Sequence, residues 1–90
     1  MEIMVAGMAT AAPAPTPRYQ RVVGGSTAVA QQMGHFHVGV EHLFLAIIRD
    51  RDAVPTQALS RLVDLDRVEA GLLEVMGSPS YRGQAPPGSA

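Results

Sequence analysis

The sequence predicts an all-α domain of four short helices. Three observations predict it. Apolar residues between Val22 and Met76 recur at three- and four-residue spacing, capping residues and prolines precede those stretches, and no segment alternates apolar with polar residues as a half-buried strand would.

The first helix opens with Thr16 as N-cap and Pro17 at the first helical position, where a missing N–H costs nothing. Tyr19, Val22, Val23, Ser26, Ala30 and Met33 then share one face, and Gly34 is a natural stop. Gly24-Gly25 inside this span each weaken a helix by about 1 kcal/mol relative to alanine, so they mark either a close approach of another backbone or a kink. Residues 35–39 form a loop. A second helix runs over 40–49 with Glu41 in its first turn, where a carboxylate suits the positive end of the dipole. Residues 43–48 are apolar on every face, which predicts a helix walled in on all sides and forming the core. Asp50-Arg51-Asp52 is a solvated charged break, and Asp52 is expected to cap a third helix over 54–62, with Pro55 tolerated in its first turn. Asp64 or Asp66 caps the fourth helix, Asp66 with Glu69 approximating a capping box. Leu65, Val68, Leu72 and Met76 make its buried stripe and Gly77 ends it. The Ala/Pro-rich residues 1–15 and the Gly/Pro/Ser-rich residues 77–90 read as flexible segments flanking a domain at 16–76.

Composition removes several function classes. A net charge of −1 with no basic stripe argues against nucleic acid. The start of the chain lacks the basic residues and long apolar centre of a secretory signal, and no apolar run is long enough to span a membrane. The chain has no cysteine, which fits a reducing cytoplasm and denies it disulfides or thiolate metal sites. A folded part of about 60 residues buries only about 60% of its unfolded surface, so self-association is expected to contribute stability. No nucleophile–base or paired-carboxylate arrangement stands out, so the chain is read as non-enzymatic and free of cofactors.

His35, His37, Glu41 and His42 lie within eight residues and invite a metal reading. Glu41 and His42, adjacent on a helix, point about 100° apart, and the spacing misses the His-Glu-x-x-His pattern. Structural roles are therefore expected: His42 hydrogen-bonded and partly buried, His35 beside the end of the first helix, His37 in a solvated loop. A small metal-binding protein using His35, His37 and His42 stays as the alternative. Ser26-Thr27 beside Gly24-Gly25 lacks the strand and lysine of a phosphate loop.

Gly34-His35-Phe36-His37-Val38-Gly39-Val40-Glu41-His42, running on into the Leu-rich helix and the Arg49-Asp50 turn, resembles the signature of the Clp chaperone N-terminal repeat: Gly-His, two residues, an aliphatic, then Gly-Thr-Glu-His. Thr16-Pro17-Arg18, and Ala58-Leu59 followed by Val63-Asp64-Leu65-Asp66, add to the likeness, which spans residues 16–76. The resemblance implies half of a double-repeat domain that, in the chaperones, pairs two repeats about a pseudo-twofold axis before an ATPase ring and binds substrates and adaptors. In Gram-positive members the Glu of the motif grips the guanidinium of phosphorylated arginine. Here that position is Glu41, with phosphate-binding N–H groups expected at the helix starts of Thr16 and Val40.

Three departures are visible: a single repeat without a Walker motif, Val40 in place of the motif's Thr, and a missing glycine between the third and fourth helices. The implied function is a cytoplasmic protein-binding module, acting as adaptor, decoy or regulator of Clp proteolysis. Its implied partners are substrate proteins, adaptors, a Clp ATPase or phosphoarginine-tagged proteins. A homodimer would restore the surface that a second repeat covers. A part of a larger protein, its proline-rich ends serving as linkers, is a further expectation.

Overall fold

The computed structural model describes residues 12–83, and every described element is a helix: α1 (Pro17–Gln32), α2 (Val40–Arg49), α3 (Val54–Ser60), α4 (Leu65–Met76) and α5 (Pro79–Gly83). The all-α expectation holds, with a fifth, short helix added. Residues 1–11 and 84–90, to which parts of both expected flexible segments belong, lie outside the described residues.

α1 starts where its cap dictates, the Thr16 hydroxyl accepting from the Tyr19 N–H at 3.0 Å. It runs unbroken through Gly24-Gly25 and ends in a Schellman motif. The His35 N–H reaches the Ala30 carbonyl, the Gly34 N–H reaches that of Gln31, and Gly34 turns left-handed at φ 74°. Neither reading of the glycine pair is met: a Cβ on Gly24 would meet nothing within 4 Å, and one on Gly25 would make only an ordinary contact with the Ala46 side chain of α2 at 3.9 Å. The buried face of α1 is Ser26, Val29 and Ala30, while Tyr19 is 61% exposed, against expectation. Arg18 takes the inward direction instead, donating to the Asp52 carbonyl at 2.8 Å and pairing with Asp50 at 3.2 Å, and its neighbour Tyr19 is turned about 100° away.

Those contacts set α1 antiparallel to α2, the N-terminal turn of one against the C-terminal end of the other. The core is Val29, Leu45, Ile48 and Met76. α2 is thus the central helix, but it is not walled in on all sides: Phe44 is 40% exposed, because α1, α3 and α4 cover only the Leu45 and Ile48 side. The bundle is too thin to close around it.

At the far end of α2 the fully buried Thr56 hydroxyl donates to the Ile47 carbonyl at 2.5 Å, tying the seven-residue α3 to its predecessor. α3 begins after Ala53, not under an Asp52 side-chain cap; Asp52 contributes its carbonyl, to Arg18 and to Gln57. It also stops at Ser60, two residues before the expected end. Asp64 caps α4 by accepting the Asp66 N–H at 3.0 Å. Asp66 and Glu69 form no capping box, since they face α2 and its following turn. Glu69 pairs with Arg49 at 2.9 Å, which draws its carboxyl below the usual range, and Asp66 pairs loosely with Arg51. The buried stripe of α4 is as expected, closed by Leu65 and Met76. No helix among the described residues is long and apolar enough to cross a membrane.

Candidate functional site

The site is built where the end of α1 meets the start of α2. Gly39 is the N-cap of α2 but has no side chain with which to cap it. The cap comes from the opposite direction: three residues on, His42 Nδ1 accepts the Gly39 N–H at 2.8 Å, the returning half of a capping box with imidazole in place of Glu or Gln. A backbone N–H can only donate, so Nδ1 is bare and the neutral ring carries its proton on Nε2. Nε2 lies 2.8 Å from His35 Nδ1. His42 therefore donates and His35 accepts. His42 is fully buried, and burial pushes its pKa below the usual imidazole range despite the opposing pull of Glu41, with His35 and His37 adding to the shift.

A second chain of hydrogen bonds runs beside the first. The Tyr81 hydroxyl, from α5, donates to Glu41 Oε2 at 2.5 Å, since a carboxylate can only accept. Its oxygen then accepts from His37 Nε2 at 2.9 Å. This leaves His37 Nδ1 as a buried nitrogen with no hydrogen-bond partner. The rings are packed to match: His35 and His37 stack with centroids 5.5 Å apart, His42 meets both edge-on, and Tyr81 lies 5.7 Å from His35 and 5.9 Å from His37. Burial and the bond to Glu41 raise the Tyr81 phenol well above its ordinary value. Burial works against ionisation of Glu41, but the Tyr81 hydroxyl, the residue's own N–H and the nearby histidines outweigh it and hold the carboxyl below the usual range. Its carboxylate folds back over the cap so closely that a Cβ on Gly39 would sit 2.6 Å from Oε1. A side chain at position 39 would make the carboxylate swing aside.

The sequence-derived candidates separate. Glu41 and Val40 stand together at the first turn, Val40 81% exposed. Thr16 does not join them: its turn packs against the Asp50 end of α2, roughly 13 Å along the axis from Glu41, in a shallow cleft with Pro13, Pro15 and Tyr19. The three histidines do come together, their nitrogens within 4.8 Å of one another. His37, expected in solvent, is half-buried under Tyr81, and His42 is more deeply buried than expected.

Hydrogen-bond polarity works against a three-histidine metal cage. A metal on His42 Nε2 requires a proton on Nδ1, and metal-bound histidines donate that proton to an acceptor. Here Nδ1 faces a donor, the Gly39 N–H. The 2.8 Å between His35 and His42 is also shorter than the about 3.3 Å edge of a tetrahedron with zinc–nitrogen bonds of about 2.0–2.1 Å.

Sequence reasoning missed Tyr81. A signal was present: Ser78-Pro79-Ser80-Tyr81 repeats the pattern of Thr16-Pro17-Arg18-Tyr19, and the Ser78 hydroxyl accepts the Tyr81 N–H at 3.2 Å as Thr16 does that of Tyr19. The stretch expected to be a flexible tail thus opens, within its described part, with a capped helix.

Comparison with known proteins gives one consistent result. The family model of the Clp repeat (R) N-terminal domain matches residues 3–62. That match takes in α1 to α3 and ends before α4 and α5. An ATP-dependent Clp protease ATP-binding subunit ClpA homolog of Guillardia theta is 38% identical over 63 residues, 69% of this chain and 8% of that protein. Chaperone protein ClpB of Oceanobacillus iheyensis is 38% identical over 64 residues, 70% of this chain and 8% of that one. The negative regulator of genetic competence ClpC/MecB of Bacillus subtilis is 36% identical over 64 residues, with the same coverage. The chain spans about 8% of the length of these relatives. No solved structure matches it.

Proposed function

The chain belongs to the Clp repeat N-terminal domain family, and from that premise we propose that it is a non-enzymatic protein-binding module that takes a cationic side chain of a partner on Glu41. The observation that carries this reading is the state of Glu41: an ionised, three-quarters-buried carboxylate at a helix start, in a stretch of chain that also exposes Phe36, Val38 and Val40. A planar guanidinium satisfies such a carboxylate through two charge-assisted hydrogen bonds, and its methylene stem covers apolar neighbours.

The phosphate half of phosphoarginine has less in its favour. Val40 offers no hydroxyl, Thr16 stands at the other end of α2, and the Glu41 carboxylate already lies over the cap where an anion would seat. Arginine itself is thus the favoured ligand group. The relatives' names, a Clp protease ATP-binding subunit and a chaperone, fit a role as adaptor, decoy or regulator around a Clp ATPase. A homodimer is supported by the exposure of Leu62, Val54 and Val75, and a cytoplasmic location by the lack of cysteine. The metal reading of His35, His37 and His42 gains nothing from the hydrogen-bond polarity of the cluster.

The test is binding of three fluorescent peptides that differ at one central residue: arginine, phosphoarginine or citrulline, the last a neutral isostere. The arginine peptide is expected to bind at least about tenfold more tightly than the citrulline peptide, and Glu41→Gln is expected to abolish the difference. Equal affinity for all three, or an unchanged preference in Glu41→Gln, removes Glu41 from the site. A marked preference for phosphoarginine restores the phosphate.

A further inference from the structure

We propose that α5 is a tethered occupant of the Glu41 site, and that a ligand gains the carboxylate only by displacing the Tyr81 hydroxyl. The inference rests on the proposed role of Glu41 and concerns how that same site is regulated.

Three observations converge on it. Tyr81 meets Glu41 with a donor, the kind of group the carboxylate would take from a partner, at 2.5 Å. Its ring covers the His35 and His37 pair, and the His37 N–H holds the hydroxyl oxygen from the other side at 2.9 Å, so the phenol is clamped at two points. The helix that presents it is short and weakly anchored. It has five residues, its first turn is fixed by the Ser78 hydroxyl, and it follows α4 with only Gly77 and Ser78 between them. A five-residue helix has no stability of its own, so what holds α5 in place is largely what Tyr81 touches. Segments with few buried contacts open at low cost. Tyr81 also packs on the rim of the Val29, Leu45, Ile48 and Met76 core, so its release uncovers that rim but leaves those four residues packed on one another.

Tyr81 also lies beyond the residues 3–62 that match the family. Gly39, Glu41 and His42 fall within that matched stretch. A group tied close to its site acts at an effective concentration in the millimolar range. A partner therefore meets a carboxylate that is already hydrogen-bonded, and its apparent affinity falls by the fraction of molecules in which Tyr81 is seated.

Two measurements on the full chain test this. The first needs no ligand. In a Tyr19→Phe background Tyr81 is the sole tyrosine, and its ionisation is followed by ultraviolet absorbance. A seated phenol titrates well above pH 10, and Glu41→Gln brings it back toward that value. The second compares the arginine peptide on wild type and on Tyr81→Phe, which keeps the ring and removes the hydroxyl. Loss of one hydrogen bond to a charged group that is partly solvated is expected to tighten binding about five- to tenfold.

Ordinary titration of Tyr81 overturns the proposal, and so does equal peptide affinity in the two proteins. In both cases the reading of Glu41 stands if the peptide still depends on that residue. If neither protein binds the peptide while Tyr81 titrates high, the cationic-ligand reading falls and takes the regulatory proposal with it.

Discussion

Replacing His42 isolates what its imidazole does for the fold. The ring is fully buried, accepts the Gly39 N–H and donates to His35. His42→Ala removes all three contributions at once. The cavity costs about 2–3 kcal/mol, and the uncapped Gly39 N–H adds about 1 kcal/mol. The sum, about 3–4 kcal/mol, is most of the stability of a domain this small. His42→Gln behaves differently, because a Gln at the third helical position is the ordinary partner in a capping box: its amide oxygen accepts from Gly39 and its NH₂ can donate to His35. Its cost is expected at about 1–2 kcal/mol, from lost volume alone.

The pH dependence carries a second signature. A histidine whose pKa is lowered on folding binds fewer protons folded than unfolded, so its stabilisation is complete above the unfolded value of about 6.5 and drains away as pH falls from there toward the folded value. Glu41, also lowered, loses its share only at more acid pH, as pH falls from 4.5 through its folded value. Urea denaturation followed by helical circular dichroism between pH 5 and 8 measures the histidine effect, and its extension to lower pH measures that of Glu41. The wild type is expected to weaken below pH 6.5, and His42→Gln to flatten that slope. Equal cost for Ala and Gln refutes the capping argument; an undiminished slope in His42→Gln places the proton elsewhere.

Two further outcomes follow from geometry. Thr16→Ala is expected to cost about 1 kcal/mol in urea denaturation, through the lost cap, and to leave affinity for the arginine peptide unchanged, since that cap lies at the opposite end of α2; weaker peptide binding returns Thr16 to the site. Addition of one equivalent of zinc at pH 7.5 is expected to leave the thermal midpoint where it was, because His42 presents a proton to the place where the ion would sit; a stoichiometric rise of several degrees refutes the placement of that proton on His42 Nε2.

What the sequence made legible was local. Thr16-Pro17, Gly34 and Asp64 act on neighbours three or four residues away, and their helix ends fall where expected. The central place of Leu45 and Ile48 was also legible, because an apolar run has to be covered by something. How completely it is covered depends on how many helices are present to pack on it, so the exposure of Phe44 was not. Tyr19 fitted the helical period, but the reach of Arg18 to Asp50 rotated it outward, a contact 32 residues away in sequence that no periodicity encodes. At the site, Glu41 and the histidines were visible as residue types. Their arrangement depends on the left-handed turn at Gly34, which swings His35 back over His42, and on a tyrosine 40 positions further on.

The order in which these contacts can assemble is set by how far the chain must travel to make them. The Thr56 hydroxyl finds the Ile47 carbonyl across nine positions, and α1 meets α2 across one short loop, so the frame forms from near neighbours and is expected to fold quickly. Closing the 40-residue circuit from Tyr81 to Glu41 costs more entropy and gains only one side chain's worth of contact. That circuit is accordingly expected to be the last to shut during folding and the first to reopen afterwards. With α5 as the proposed occupant of the Glu41 site, the native ensemble is expected to hold two populations with the same frame, one with its front door closed and one with it ajar.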